Sequence, residues 1–184
     1  MIRDLKDLAA EEKWGEIIAL IDSTPELRES CTPYVSFICW KSHAKLGNPI
    51  LAEESLDEAI ELSPSKAMLR RAKGHFHKRR GDWKSALKSY EKAVELRDDA
   101  PSFWASLALA QEKTGDAGAA RESLIMALSL RPIQRKWWLR LASLYRLSEQ
   151  LGSAVEAYGK ALELGDDARI RAMRDETVRQ IEDG

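Results

Sequence analysis

Several columns of residues recur at one spacing along this chain, and that recurrence decides what it can fold into. Gly47, Gly81 and Gly115 stand 34 residues apart, and the next step lands on Glu149. Ala52, Ala86, Ala120 and Ala154 keep the same interval, as do Ala59, Ala93, Ala127 and Ala161. Leu56, Tyr90, Leu124 and Tyr158 alternate leucine with tyrosine at that interval. Trp104 and Trp138 share it, and Pro64 and Pro132 are two periods apart. A fixed period of this length marks a stack of identical supersecondary units, each too small to bury its apolar face alone.

Each column has a physical task. Within each half-period the apolar residues follow helical spacing, as in Ala86, Leu87, Tyr90, Ala93 and Val94. Glycine closes a helix because it adopts the left-handed turn conformation without penalty. The small alanines let two helices approach, the tyrosines fill the space where they diverge, and Pro64 and Pro132 end the second helix of their units. No alternating β-branched run and no Asn-Gly hairpin occurs, so the chain reads as all-α.

Tryptophan early in the first helix, Gly81-Asp82-Trp83 at the turn and the later Ala, Tyr, Ala, Pro series together resemble the tetratricopeptide repeat (TPR) family. The resemblance implies a right-handed α-solenoid of helix-turn-helix hairpins closed by a C-terminal capping helix. It implies a single TPR domain over 1–184. Residues 1–32 form a short divergent unit, 33–66, 67–100, 101–134 and 135–168 form full units, and 169–184 forms the cap. The cap is expected as one amphipathic helix, Arg169–Ile181, with a narrow stripe of Ile170, Met173, Val178 and Ile181. Trp40 occupies a slot where the pattern wants glycine or alanine, and Arg70 and Lys73 occupy slots of tryptophan and leucine. The first helix of the unit 67–100 is therefore expected to be the least well packed of the central units.

Composition narrows function by exclusion. Lysine plus arginine totals 29 and aspartate plus glutamate 30, a net charge of −1, which gives no bulk attraction to nucleic acid or to a membrane surface. No apolar run reaches the roughly 20 residues that span a bilayer. The interleaved charges of the first ten residues are not a signal peptide. Cys31 and Cys39 lack metal-ligand spacing and read as reduced apolar residues, so a cytoplasmic location is expected. His75 and His77 cannot share a helix face. No catalytic triad, phosphate loop or metal motif is present, so the expectation is a non-enzyme without cofactor or metal.

In stacked hairpins the first helices line the concave side. The repeat register places Arg71, His75, Lys78, Ser106, Leu109, Lys136, Leu139 and Arg140 there as peptide-binding residues. Lys41, Lys113 and Arg146 fall on the same face, whereas Glu53, Glu54, Asp57, Glu58 and Glu61 fall on an outer helix. Some relatives hold a peptide C-terminus with a two-carboxylate clamp. Arg71, His75, Ser106, Lys136 and Arg140 stand in its register, with histidine and serine in place of two asparagines. The functional expectation is a protein–protein interaction scaffold whose cation-rich groove binds an acidic or extended peptide. The alternative is an accessory or oligomerisation domain of a larger enzyme or assembly, for example in bacterial glycan synthesis or secretion. Self-association would then run through the Tyr34 and Trp40 end.

Overall fold

The computed structural model describes residues 2–29 and 32–183, and these form helices joined by short turns. The chain opens with α1 (Ile2–Ala10), α2 (Trp14–Ser23) and the short α3 (Pro25–Glu29). Four antiparallel hairpins follow. They are α4 (Pro33–Lys45) with α5 (Pro49–Leu62), α6 (Ala67–Arg79) with α7 (Trp83–Leu96), α8 (Pro101–Thr114) with α9 (Ala117–Leu130), and α10 (Arg135–Leu147) with α11 (Leu151–Glu163). The final α12 (Ala168–Glu182) packs on α11. This is the expected right-handed solenoid. The α3 turn was not anticipated: Pro25 starts it, and Leu27 is buried in the N-terminal core.

Local chemistry sets the helix ends. The carboxylates of Asp82 and Asp116 accept from the backbone N–H of Ser85 (3.0 Å) and Ala119 (2.9 Å), and Asp167 does the same for Arg169 and Ile170. Gly47, Gly81 and Gly115 close first helices with φ of +80°, +77° and +96°. The fourth position of that column, Glu149, adopts φ +56° although it carries a side chain, and Glu12 does so at +57° in the N-terminal turn. The conserved geometry belongs to the turn, and glutamate is forced into it twice.

The core is a series of clusters, one per interface, as a solenoid requires. Leu5, Trp14, Ile17, Ile21, Val35 and Ile38 join α1, α2 and α4. Ala86, Tyr90 and Ala93 meet Phe103 and Leu107 across α7 and α8. Ala120, Leu124 and Leu128 meet Leu141 and Leu144 across α9 and α10, and Tyr158 and Ala161 meet Ile170 of the cap. Trp137, which the motif leaves unexplained, packs in the Leu124–Leu141 cluster, in the column of Val35, Leu69 and Phe103. The paired tryptophans have a repeated role: the indole N–H of Trp104 donates to the Asp98 carbonyl and that of Trp138 to the Pro132 carbonyl, both at 2.7 Å. Each pins the loop that precedes its own helix.

Between the first two full hairpins, bulk is exchanged between two columns. Where the second helix carries Tyr90, the first offers Gly74, and a Cβ placed there would fall on the tyrosine ring. Where the second helix carries the smaller Leu56, the first offers Trp40, which packs with Phe37 at 5.1 Å between ring centroids. Cys39 is a free thiol against the N-terminal core, and burial pushes its pKa up to about 11, so it stays protonated. Cys31 lies outside the described residues.

Candidate binding groove

Side chains bridge neighbouring first helices, α6 to α8 and α8 to α10, directly. The Arg71 guanidinium on α6 donates to Ser102 Oγ on α8 at 2.9 Å and lies 5.0 Å over the Phe103 ring. Arg140 Nε on α10 donates to Glu112 Oε2 on α8 at 2.6 Å, with about a third of each side chain exposed. These links hold three inner helices side by side, and they also occupy cations that the sequence offers as ligand donors.

The clamp register is therefore mostly engaged. His75 Nδ1 sits 3.0 Å from the Tyr90 hydroxyl. Burial first, then the charges of Lys78 and Arg71, lower its pKa to about 4. His75 thus carries no charge at neutral pH, contrary to the charge role its register suggests. Ser106 Oγ donates back to the Ser102 carbonyl at 2.8 Å, the usual fate of a mid-helix serine. Arg140 is neutralised by Glu112. Of the five residues in clamp register, Lys136 alone is exposed and makes no hydrogen bond or ion pair among the described residues.

Other cations on the same helices remain unpaired among the described residues: Lys78 and Arg79 at the end of α6, Lys113 at the end of α8 and Arg146 at the end of α10. All lie in the last turn, where the helix dipole favours positive charge. The register places Lys78, Lys113 and Arg146 on the inner face, but which of the cations are free depends on cross-helix partners. Lys41 is drawn the other way, 4.8 Å over the Trp14 ring. Leu109 and Leu139 are half-buried on α8 and α10, and Leu139 packs against the Tyr158 cluster.

Two hollows bound this face. One, of about 410 Å³, opens between the α4–α5 turn and α6, lined by Trp40, Ala44, Pro49, His75, Phe76 and Arg79 among others. It lies beside the oversized Trp40, and no spacing rule pointed to it. The other, of about 440 Å³, is lined by Ser143, Arg146, Leu147 and Gln180, so the end of α12 reaches the last inner helix.

The family signature described as a TPR repeat matches residues 74–115, and that described as a tetratricopeptide repeat matches residues 137–164. The chain carries tetratricopeptide repeats over these two segments. Among solved structures, this TPR chain resembles YrrB, described as a TPR protein with an unusual peptide-binding site. The TM-score is 0.78 at 16% identity, over 94% of this chain and 88% of that one. PilF of Pseudomonas aeruginosa matches with a TM-score of 0.75 at 16% identity, over 99% of this chain and 83% of that one. The first TPR of Spaghetti (RPAP3), solved with the HSP90 peptide SRMEEVD, matches at 0.58 and 19% identity, over 64% of this chain and 94% of that one. Likeness at these identities establishes the fold. No curated protein matches the sequence. No helix among the described residues is long and apolar enough to cross a membrane.

Proposed function

We propose that this TPR chain is an interaction scaffold that holds an acidic or extended peptide segment along its inner face. The observation that carries the reading is the set of unpaired cations there, Lys78, Arg79, Lys113, Lys136 and Arg146, in a chain whose net charge is −1. Free cations on parallel helices supply convergent donors to carboxylates, and their field raises the encounter rate with an acidic segment. The Spaghetti domain bound to SRMEEVD shows an acidic peptide on a related fold, which supports the reading by analogy.

The engaged residues have a different part in it. Arg71 and Arg140 fix the spacing of α6, α8 and α10, and His75 is held neutral by burial and by the charges of Lys78 and Arg71. Charge-based affinity therefore belongs to Lys78, Lys136 and their unpaired neighbours, with Leu109 and Leu139 as apolar contacts. A peptide array read against wild type, Lys78→Glu and Lys136→Glu tests this. Acidic segments are expected to be enriched, and the double reversal is expected to weaken them by about tenfold or more. An array without acidic preference, or one unchanged by the double reversal, would falsify the reading.

A further inference from the structure

The outer side of the molecule carries two furrows, and the repeat builds the same furrow twice. The first crosses from α7 to α9 with Trp104 and Leu107 of α8 as its floor, and Glu91, Asp98, Glu122 and Met126 stand on its walls. The second crosses from α9 to α11 with Trp138 and Leu141 of α10 as its floor and Ile125, Pro132, Glu156 and Lys160 on its walls. Each of the second six follows its counterpart by 34 residues. The first furrow comprises hollows of about 530 and 480 Å³ and the second one of about 560 Å³. The ridge between them is the outer face of α9, where Ile125 and Met126 are 43% and 42% exposed, and Ile125 lines both sides.

The unpaired charges that line the two furrows have one sign. Glu91, Asp98, Glu122 and Glu156 make no ion pair among the described residues. Glu95, on the same wall as Glu91, is held by Lys92 at 2.6 Å. The one cation in the walls, Lys160, is held by Glu163 at 3.0 Å. Arg121, one turn before Ile125 on α9, is turned to Ser148, Gln150 and the Tyr145 ring. The free charges lining the furrows are thus carboxylates beside exposed isoleucine and methionine, with a tryptophan at the base of each furrow. An acidic peptide or an anionic lipid surface would be repelled here, whereas a cationic segment gains both its charge and its apolar contacts.

We propose that the α9 ridge and its two furrows dock a basic amphipathic segment of a partner protein. Its apolar side chains enter the furrows over Trp104 and Trp138, and its lysines or arginines meet Glu91, Asp98 and Glu122. Helix-in-groove recognition uses this arrangement of apolar anchors flanked by charge. The site is separate from the inner groove and faces the opposite charge, so one chain bridges an acidic and a basic partner.

The test is a fluorescence-anisotropy titration with a labelled amphipathic helix carrying lysines on one face and leucines on the other. Two control peptides replace all lysines by glutamate or all leucines by serine. The protein forms are wild type, Glu91→Lys/Glu122→Lys, Ile125→Ser/Met126→Ser and the inner-face Lys136→Glu, each checked by circular dichroism. The Lys/Leu peptide is expected to bind wild type and Lys136→Glu alike. Each outer-face double variant is expected to weaken it by about tenfold, and both control peptides are expected to bind more weakly still. Absence of binding, equal binding of the Lys/Ser peptide, or indifference to both outer-face variants overturns the proposal. Sedimentation equilibrium runs in parallel. A concentration-dependent oligomer that Ile125→Ser/Met126→Ser abolishes would assign the ridge to a second copy of this chain and overturn the proposal as well. Loss of acidic-peptide binding in Lys136→Glu reports on the inner groove and leaves this result untouched.

Discussion

Glu149 is the residue at which the repeat geometry and the residue type disagree. It stands in the column of Gly47, Gly81 and Gly115 and adopts their left-handed turn, with φ +56°. A residue with a Cβ loses roughly 1–2 kcal/mol there. Glycine relieves that strain but gives up unfolded-chain entropy, worth about 0.5–1 kcal/mol. Glu149 is exposed and makes no ion pair among the described residues, so nothing else is lost. Glu149→Gly is therefore expected to stabilise by about 0.5–1 kcal/mol, read as a rise in the urea midpoint at constant slope; an unchanged or lower midpoint contradicts it. Spacing alone located this turn. Spacing did not show that His75 and Arg140 are already engaged, because their partners, Tyr90 and Glu112, come from other helices. A register says which face a residue is on, whereas its partners depend on what the next helix brings.

At the scale of elements, α6 shows how a poor helix former is retained by its neighbour. Gly74 in mid-helix costs about 1 kcal/mol relative to alanine. A Cβ at that point would lie 2.9 Å from Cζ of Tyr90 and closer still to Cε1 and Cδ1. The ring cannot retreat freely, because its hydroxyl is bonded to His75 and it is almost fully buried. In the last hairpin the equivalent pair is Ala142 with Tyr158. There Ser143 stands where His75 does, its hydroxyl turned to the Leu139 carbonyl, and the Tyr158 hydroxyl has no protein partner. Gly74→Ala is accordingly expected to destabilise by about 1–3 kcal/mol despite its better helix propensity, by overpacking. Combined with Tyr90→Leu, which reproduces the Ala108–Leu124 pairing, most of that loss should return. Thermal melts of the two variants decide the matter, and an additive double variant would refute the steric account. Helix ends were legible because caps, prolines and glycines mark them. The α3 turn was not, since five residues carry no period.

Across the whole molecule, stability is a sum over interfaces, and the weakest interface sets where the stack opens first. Several features single out the junction of α4 and α5 with α6. The α5–α6 interface is narrower than that of α7 and α8, and a hollow of about 410 Å³ lies beside it. Arg70 stands in the column of Trp104 and Trp138, so the indole that pins the preceding loop is missing, and the buried Arg70 Nε finds no acceptor. Lys73 replaces the buried Leu107 and Leu141 and reaches out to Asp57 instead. The sequence marks these two substitutions, and with the narrow α5–α6 contact they make the junction of α1–α5 with α6–α12 the expected first opening of the stack. Native-state hydrogen exchange should show α4 and α5 opening at a lower free energy than α8 to α11. In Arg70→Trp/Lys73→Leu the floor of the junction is rebuilt in the pattern of the later repeats, and the burial of two large apolar side chains is worth about 2–4 kcal/mol after strain. The gap between the two blocks should narrow by an amount of that order, while exchange in α10 and α11 stays as in wild type, since their interfaces lie two hairpins away. Equal opening free energies along the wild-type chain, or a variant that leaves α4 and α5 as labile as before, would show that the junction does not divide the stack.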